Sequence, residues 1–516
     1  MSGEEERKKI VGRAGVVGAG TLLSRILGFG RDAVIAALFT RRETDAFWVA
    51  LTIPNALRQL LAEGAVSSAV VPVLSKRLAE EGDEAGKSFF ARARGVSLVV
   101  LVIVSVLGVL FARQLTELWA GGYVDDVPKF EMTVTMTRVM FPYIFFMGTA
   151  ALGMAALNAK KHFAVAAFAP ALFSVGIVGA AIAWRDPLAL AVGVLAGGVM
   201  QVIAQFPALK RIGYTELPKI DFKDPHVREM LKRILPMTFG LGVYYVDLVL
   251  SRRFLSELGE GAQSWFSWAS RLCDLPQGIF VMAISSATLP SLATFAAKGE
   301  MDELKKTWAH GMRLALFVAI PCSVALAVLG EPLVVLLFER GHFDPESSHQ
   351  TARALMWQGG AIFTVAATRQ LVPAFHAVGH TRTPGIVSAL DLLAFIGLAL
   401  GLKGTFGHVG ISIAVAGSSA VQMLLLVIGL RLRLGPLRGG EILGSAVRVA
   451  AASGIAGAAA WALARLLGDL PRWIPGIAAS LAFVALFAIA AWGLGARELG
   501  EIGAPLKRRL LRRPRP

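Results

Sequence analysis

Apolar stretches of about 20 residues, each long enough to cross a hydrocarbon core of ~30 Å as a helix, recur along the whole chain. About fourteen stand out on a sliding hydropathy reading. They lie near residues 14–39, 45–74, 92–112, 133–157, 163–184, 188–209, 231–255, 263–296, 310–330, 350–378, 384–403, 408–432, 443–466 and 474–495. Turns such as 158–162 and 185–187 separate them, and no long polar stretch interrupts the series. The pattern predicts an all-α polytopic membrane protein without a separate soluble domain.

A repeat divides this series. Ser67-Ser68-Ala69-Val70-Val71-Pro72-Val73-Leu74 matches Ser285-Ser286-Ala287-Thr288-Leu289-Pro290-Ser291-Leu292 at an offset of 218, and Asn158-Ala159 with His162 matches His376-Ala377 with His380 at the same offset. Each half then holds six helices. An even number keeps the halves in one orientation, related by a pseudo-twofold axis along the membrane normal, with substrate sites expected near the midplane. The expected organisation is an N-terminal lobe over 1–210, a C-terminal lobe over 211–434, and helices 13 and 14 with a basic tail over 435–516. The last two helices are rich in Ala, Gly and Leu and are expected to pack on the core through small residues.

Composition agrees: 55% of the 516 residues are hydrophobic and the mean hydropathy is +0.61. The net charge of +16 raises nucleic acid as a partner, but its distribution points to a membrane. With the N-terminus placed in the cytoplasm, roughly 33 Lys/Arg fall on that side, roughly 11 on the other and roughly 8 within spans, the asymmetry of the positive-inside rule. Both termini are therefore expected in the cytoplasm, and the tail KRRLLRRPR at 507–515 reads as a topology anchor at anionic lipid. Residues 1–13 form a charged lead, and the first span is too long and too charged for a cleavable signal. Cys273 and Cys322 lie in apolar spans and make no disulfide framework or metal pattern.

The first two spans carry charge where lipid would penalise it. Arg25, Arg31, Asp32, Arg58 and Glu63 sit within them. A charge at the centre of a membrane helix costs about 2.5–3.5 kcal/mol on insertion scales, so these side chains should face a protein or water interior. Gly28 and Gly30 make the first helix easy to bend or unwind, and Pro54 does the same for the second. Arg25 and Asp32 share a face seven residues apart, with Arg31 beside it. Arg271 and Asp274 lie early in the eighth span, in WASRLCDLPQG. Two readings follow. The planar forks of Arg25, Arg31, Arg58 and Arg271 suit a diphosphate or carboxylate ligand, or the arginines bridge structurally to Asp32, Glu63 and Asp274. Cations exceed acids in this set, so pairing alone leaves positive charge over.

Arg138, Arg353 and Arg369 have neighbours that suggest no site, and snorkelling or structural pairing accounts for them. Asp247 and Asp391 are isolated carboxylates in apolar spans that bind a proton or Na⁺, or serve as buried hydrogen-bonding groups. His342 and His349 fall in an outward turn without ligand spacing. Walker, metal and nucleophile-elbow motifs are absent, so ATP hydrolysis by this chain is not expected, and no cofactor or metal is called for.

SRILGFGRD at 24–32, TDAFWVALTIPNALRQLLAEGAVSSAVVPVL at 44–74 and RLCDLPQG at 271–278 resemble the MurJ (MviN) family, the bacterial lipid II flippases of the multidrug/oligosaccharidyl-lipid/polysaccharide exporter superfamily. The resemblance spans nearly the whole chain and is most specific in the first two spans. It implies two six-helix lobes around a cationic cavity, with a groove beside the last two helices for a polyprenyl tail. It also implies an inner-membrane location and an undecaprenyl-diphosphate-linked disaccharide-peptide as substrate, with membrane lipids and cell-wall synthesis enzymes as further partners of a monomer. By position, Arg25, Arg31, Asp32 and Arg58 match the family's first-lobe cavity residues and Arg271 its second-lobe arginine. Asp45 and Glu63 match recurring acidic positions, expected in gating or ion coupling with Asp274, Asp247 and Asp391. The chain departs from the family pattern at Gln59, Ser270 and Asp274, and Phe395 stands near Asp391 where a polar residue is frequent. Phe395 cannot ligate a cation, which counts against a sodium site there.

The expected function is a flippase that moves lipid II from the inner to the outer leaflet by alternating access. The alternative within transport is an exporter of another polyprenyl-linked oligosaccharide or of drugs; a drug exporter would favour aromatics and acids in its cavity, against the arginine surplus. A non-transporting cell-wall scaffold leaves those arginines unexplained. An intramembrane enzyme would need a catalytic cluster that the sequence does not contain.

Overall fold

A computed structural model describes residues 3–59, 64–240 and 242–501, and these are helical throughout apart from short connections, with no strand among them. Two compact units are present, one made of residues 1–263 with 340–342 and the other of 264–339 with 343–516. Glu63 and the basic tail lie outside the described residues.

The first unit runs through α1 (Gly3–Leu38), α2 (Arg41–Arg58), α3 (Gly64–Glu80), α4 (Asp83–Leu110), α5 (Ala112–Ala120), α6 (Val127–Met140), α7 (Tyr143–Ala159), α8 (Phe163–Phe168), α9 (Ala171–Ala183), α10 (Pro187–Arg211), α11 (Pro225–Gly240) and α12 (Gly242–Ser256). The next helix, α13 (Ala262–Pro276), begins at the end of this unit. One core joins Val49, Ile53 and Ala56 of α2 to Trp119, Phe130, Val134, Phe141 and Ile144. A second joins Val70, Val73 and Leu74 of α3 to Phe89, Phe90, Leu152, Tyr214 and Met230. Helices α9 and α10 meet backbone to backbone: a Cβ on Gly176 would lie 2.5 Å from the Gly197 nitrogen, and one on Gly193 2.6 Å from Ile177 Cα. Small residues permit that approach in lipid, where packing and not water exclusion holds helices together.

The second unit continues with a π-helical stretch at Gln277–Val281. Then come α14 (Met282–Lys298), α15 (Met301–Val328), α16 (Gly330–Phe338), α17 (Pro345–Gly360), α18 (Ile362–Ala377), α19 (Arg382–Phe406), α20 (His408–Leu434), α21 (Gly439–Leu466) and α22 (Trp473–Gly493). Its core packs Trp308, Met312 and Leu316 of α15 on Leu371 and Phe375 of α18 and Leu426 and Leu430 of α20. The Ala-rich face of α21 (Ala456, Ala460, Ala464) packs on Ala479 and Phe483 of α22 and on Leu329.

Among the described residues, eight helical segments are long and apolar enough to cross a membrane. The others are divided into shorter helices, as where α17 gives way to α18 at Ala361, or carry the charges noted above. Helix α1 runs unbroken through Gly28 and Gly30, and α2 through Pro54. The softness expected at these positions produces no break. Pro54 removes one backbone donor, but its surroundings are buried and the adjoining turns hold.

Candidate functional site

The charged side chains of the first unit sit on α1, α2 and α6. Helix α2 opens with a capping box, Thr40 accepting from the Glu43 backbone and Glu43 from the Thr40 N–H at 2.8 Å. Two residues on, Asp45 is fully buried, and its Oδ2 accepts from Lys129 Nζ at 2.8 Å and from the Gly261 N–H at 2.7 Å. The Lys129 ammonium also lies 4.1 Å from the Tyr123 ring centroid. A carboxylate in the first turns of a helix is favoured by the helix dipole, and a buried one requires a partner such as this. Lys129 went unnoticed in the sequence because it reads as part of a polar turn, VDDVPKFEM.

On α1, Arg31 and Asp32 are both buried, and the guanidinium bonds Asp32 Oδ1 through Nε at 2.8 Å and a terminal nitrogen at 2.6 Å. Neighbours in sequence point to different helix faces, but the long arginine stem folds back to close the gap. The same guanidinium stands 5.6 Å from the Phe173 ring. Arg25 is half-buried on this helix, and Arg58 of α2 donates from Nε to Asn55 Oδ1 at 2.9 Å.

In the second unit Arg271 lies 3.8 Å from Asp274, both on α13. Ser270, standing where the family often has an acid, donates to Gln358 Oε1 at 2.8 Å, and Gln358 donates to Ser412 at 3.0 Å. A neutral polar chain thus occupies that position. Asp391 on α19 is half-buried, and its Oδ1 has no hydrogen-bond partner among the described residues. Phe395, one turn on, is buried. Asp247 of α12 is half-buried, and its carbonyl accepts from Ser251. Arg138 is exposed, Arg353 bonds Gln350 at 3.1 Å, and His349 lies 3.8 Å from Glu331. Among the described residues no group of three His, Cys, Asp or Glu side chains could hold a metal.

The second unit also contains an apolar groove of about 750 Å³ between α15, α18, α20 and α21. Met312, Leu316, Phe363, Met423, Ile442 and Ala446 are among its lining residues. Its chemistry suits a hydrocarbon chain, and the arginines suit an oxyanion.

Long apolar helices with buried charge among them define a polytopic membrane protein. The fold agrees with solved transporters: an inward-facing multidrug transporter of the MATE family in the MOP superfamily superposes with a TM-score of 0.66 at 14% identity, over 81% of this chain and 96% of that one. A lipid II flippase MurJ in an inward closed conformation superposes with a TM-score of 0.76 at 20% identity, over 95% and 99%. The family model for lipid II flippase MurJ matches residues 34–484. The lipid II flippase MurJ of Burkholderia cenocepacia is 34% identical over 428 residues, 80% of this chain and 82% of that protein. A probable lipid II flippase MurJ of Vibrio cholerae is 32% identical over 441 residues, 83% and 84%. The chain belongs to the MurJ family. It is a membrane-embedded bacterial transporter and not an enzyme.

Proposed function

We propose that this protein carries lipid II, the undecaprenyl-diphosphate-linked disaccharide-peptide, from the inner to the outer leaflet of the cytoplasmic membrane. The observation that supports this most directly is family membership across residues 34–484, with relatives named as lipid II flippases. Arg25, Arg31, Arg58 and Arg271 bind the diphosphate and anionic peptide, with Asp32 orienting Arg31. The polyprenyl tail lies in the apolar groove beside α21. Two six-helix lobes over 1–210 and 211–434 rock against one another, and fourteen crossings leave both termini in the cytoplasm. Asp45, Glu63 and Asp274 act in gating, and Asp247 and Asp391 in coupling to a cation or proton. A membrane potential acts on a unit charge with about 2.3 kcal/mol per 100 mV, enough to bias the return of an empty cationic carrier. The protein works as a monomer, alongside cell-wall synthesis enzymes.

The test is depletion of the protein in its host, followed by an assay of which leaflet holds lipid II. Accumulation on the cytoplasmic side, reversed by re-expression, is expected. Unchanged distribution would remove the reading. Filling the groove by Ala446→Trp tests the tail site separately, and normal transport by that variant would exclude it.

A further inference from the structure

Where α22 ends, the chain turns back through Gly495 at φ +70°, with the Ala496 N–H donating to the Ala491 carbonyl and the Gly495 N–H to Trp492. This is a Schellman-type turn, and the left-handed residue suits glycine. It brings Glu498 to a site where it is only 2% exposed. Ser445 of α21 donates to Glu498 Oε1 at 2.9 Å, and Arg313 Nε of α15 stands 3.8 Å from the same oxygen. Arg313 also lies 3.4 Å from His310, whose other ring nitrogen is 3.4 Å from Glu501. Phe317, Val449, Ala452, Ala491 and Ala496 seal the apolar side.

Burying a carboxylate costs several kcal/mol unless it is paired, so an acid held this deeply needs its contacts. Neither Oε2 nor Arg313 Nε has a hydrogen-bond partner among the described residues, so Glu498 is held by the Ser445 hydroxyl and by the nearby charge of Arg313. Both come from helices that wall the apolar groove. On α15 the groove takes Trp308, Met312 and Leu316, while the clasp takes His310 and Arg313. On α21 it takes Ile442 and Ala446, and the clasp takes Ser445. The two features occupy adjacent faces of the same helices at the same height.

The geometry points to Glu498 as a positioning residue: by tying α21 to α15 it sets the width of the groove, and with it the selectivity for the length of a bound hydrocarbon chain. This rests on the groove holding a lipid tail. Carboxylate, hydroxyl and guanidinium fix a spacing that Ala-rich packing alone leaves free to slide. The same residue couples the segment after α22 to the groove, so the 497–501 turn and the lipid site move together.

Spin labels at Lys306→Cys and Gly440→Cys, with Cys273 and Cys322 replaced by Ala, report the α15–α21 distance. Transport of long-tailed and short-tailed polyprenyl diphosphates by the label-free variants reports selectivity. Glu498→Ala and Arg313→Ala should each lengthen and broaden the distance and reduce the long-to-short preference several-fold, with the double variant no worse than either single. Glu498→Gln, which keeps an acceptor for Ser445, should fall between. An unchanged distance in Glu498→Ala overturns the clasp. A lengthened distance with unchanged preference overturns its link to the groove. A fall in thermal stability alone, with distance and preference intact, reduces Glu498 to a structural role and also overturns the proposal. Failure of the groove itself shows separately, as normal transport by Ala446→Trp with the clasp untouched.

Discussion

Lys129 Nζ sits 2.8 Å from Asp45 Oδ2, and both side chains are almost wholly removed from solvent. Their pairing joins the start of α6 to the start of α2, and the Gly261 N–H completes the carboxylate. Removing one partner of a buried pair costs about 3–5 kcal/mol, mostly because the other charge is left without compensation. Lys129→Met is therefore expected to lower thermal stability sharply, and Asp45→Asn with Lys129→Met to recover part of the loss. Unfolding of detergent-solubilised variants measures this. Equal damage in the single and double variants would mean that the charge pair is not the source.

Arginine charge is expected to matter for transport beyond folding. Loss of one charge-assisted contact to a diphosphate costs more than about 1.5 kcal/mol, tenfold or more in affinity. Alanine at Arg25, Arg31, Arg58 or Arg271 should impair complementation of a flippase-depleted cell, with membrane levels maintained. Lysine keeps the charge without the fork, so it should fall between. Normal export by all four alanine variants would remove the diphosphate role.

Asp391 and Asp247 test ion coupling. Each is replaced by Asn and flipping is measured with and without ion gradients. Coupling through either one predicts altered gradient dependence in that variant. Unchanged dependence in both, at normal expression, makes them buried hydrogen-bonding groups only.

Orientation is checked by reporter fusions. Those within 210–233 should read cytoplasmic and those within 341–348 external. The opposite pattern reverses the placement of both termini.

A fifth expectation concerns pH, outside the spans. Burial pushes the Asp224 carboxyl up, but the Val227 N–H, Arg92 and the His226 N–H together outweigh it and hold the group below its ordinary range. Its oxygen accepts from the His226 and Val227 N–H groups at 2.9 and 3.0 Å, at the start of α11. A lowered folded value means that the stabilisation is complete above the unfolded value, about 3.9, and is lost as pH falls through the folded one. Asp224→Ala should cost about 1 kcal/mol at neutral pH as a lost cap. Its effect should shrink in acid. A pH-independent loss would place the effect in packing.

The helical class of this protein was legible because lipid leaves no other way to satisfy the backbone in an apolar segment of this length. Charges inside the spans were legible as misfits, and Arg31 and Asp32 stood out for that reason, whereas Asp45 was marked only by its match to the family pattern. Their partners were not. Lys129 is 84 residues from Asp45 and sits beside two aspartates in a turn that reads as solvated. Glu498 lies in ARELGEIG, which looks like the start of a polar tail, and only the turn at Gly495 buries it. The Arg31–Asp32 bond escaped the helical-face argument because face assignment follows Cβ directions, whereas a guanidinium reaches several ångströms beyond them.

Gly341, at φ +61°, lays its backbone against the end of α1, where a Cβ would stand 2.1 Å from the Ala37 carbonyl oxygen, and the His342 N–H donates to that same oxygen at 3.0 Å. One of the terminal carbonyls of the first helix is thus satisfied by a residue made some three hundred positions later. Such contacts wait for the intervening chain and slow the final closure of a fold. During synthesis α1 is made well before this neighbour, and its end stays open until some three hundred further residues have been translated. A ribosome stalled before His342 would therefore leave the first unit unfinished, with α1 still waiting for one of its neighbours.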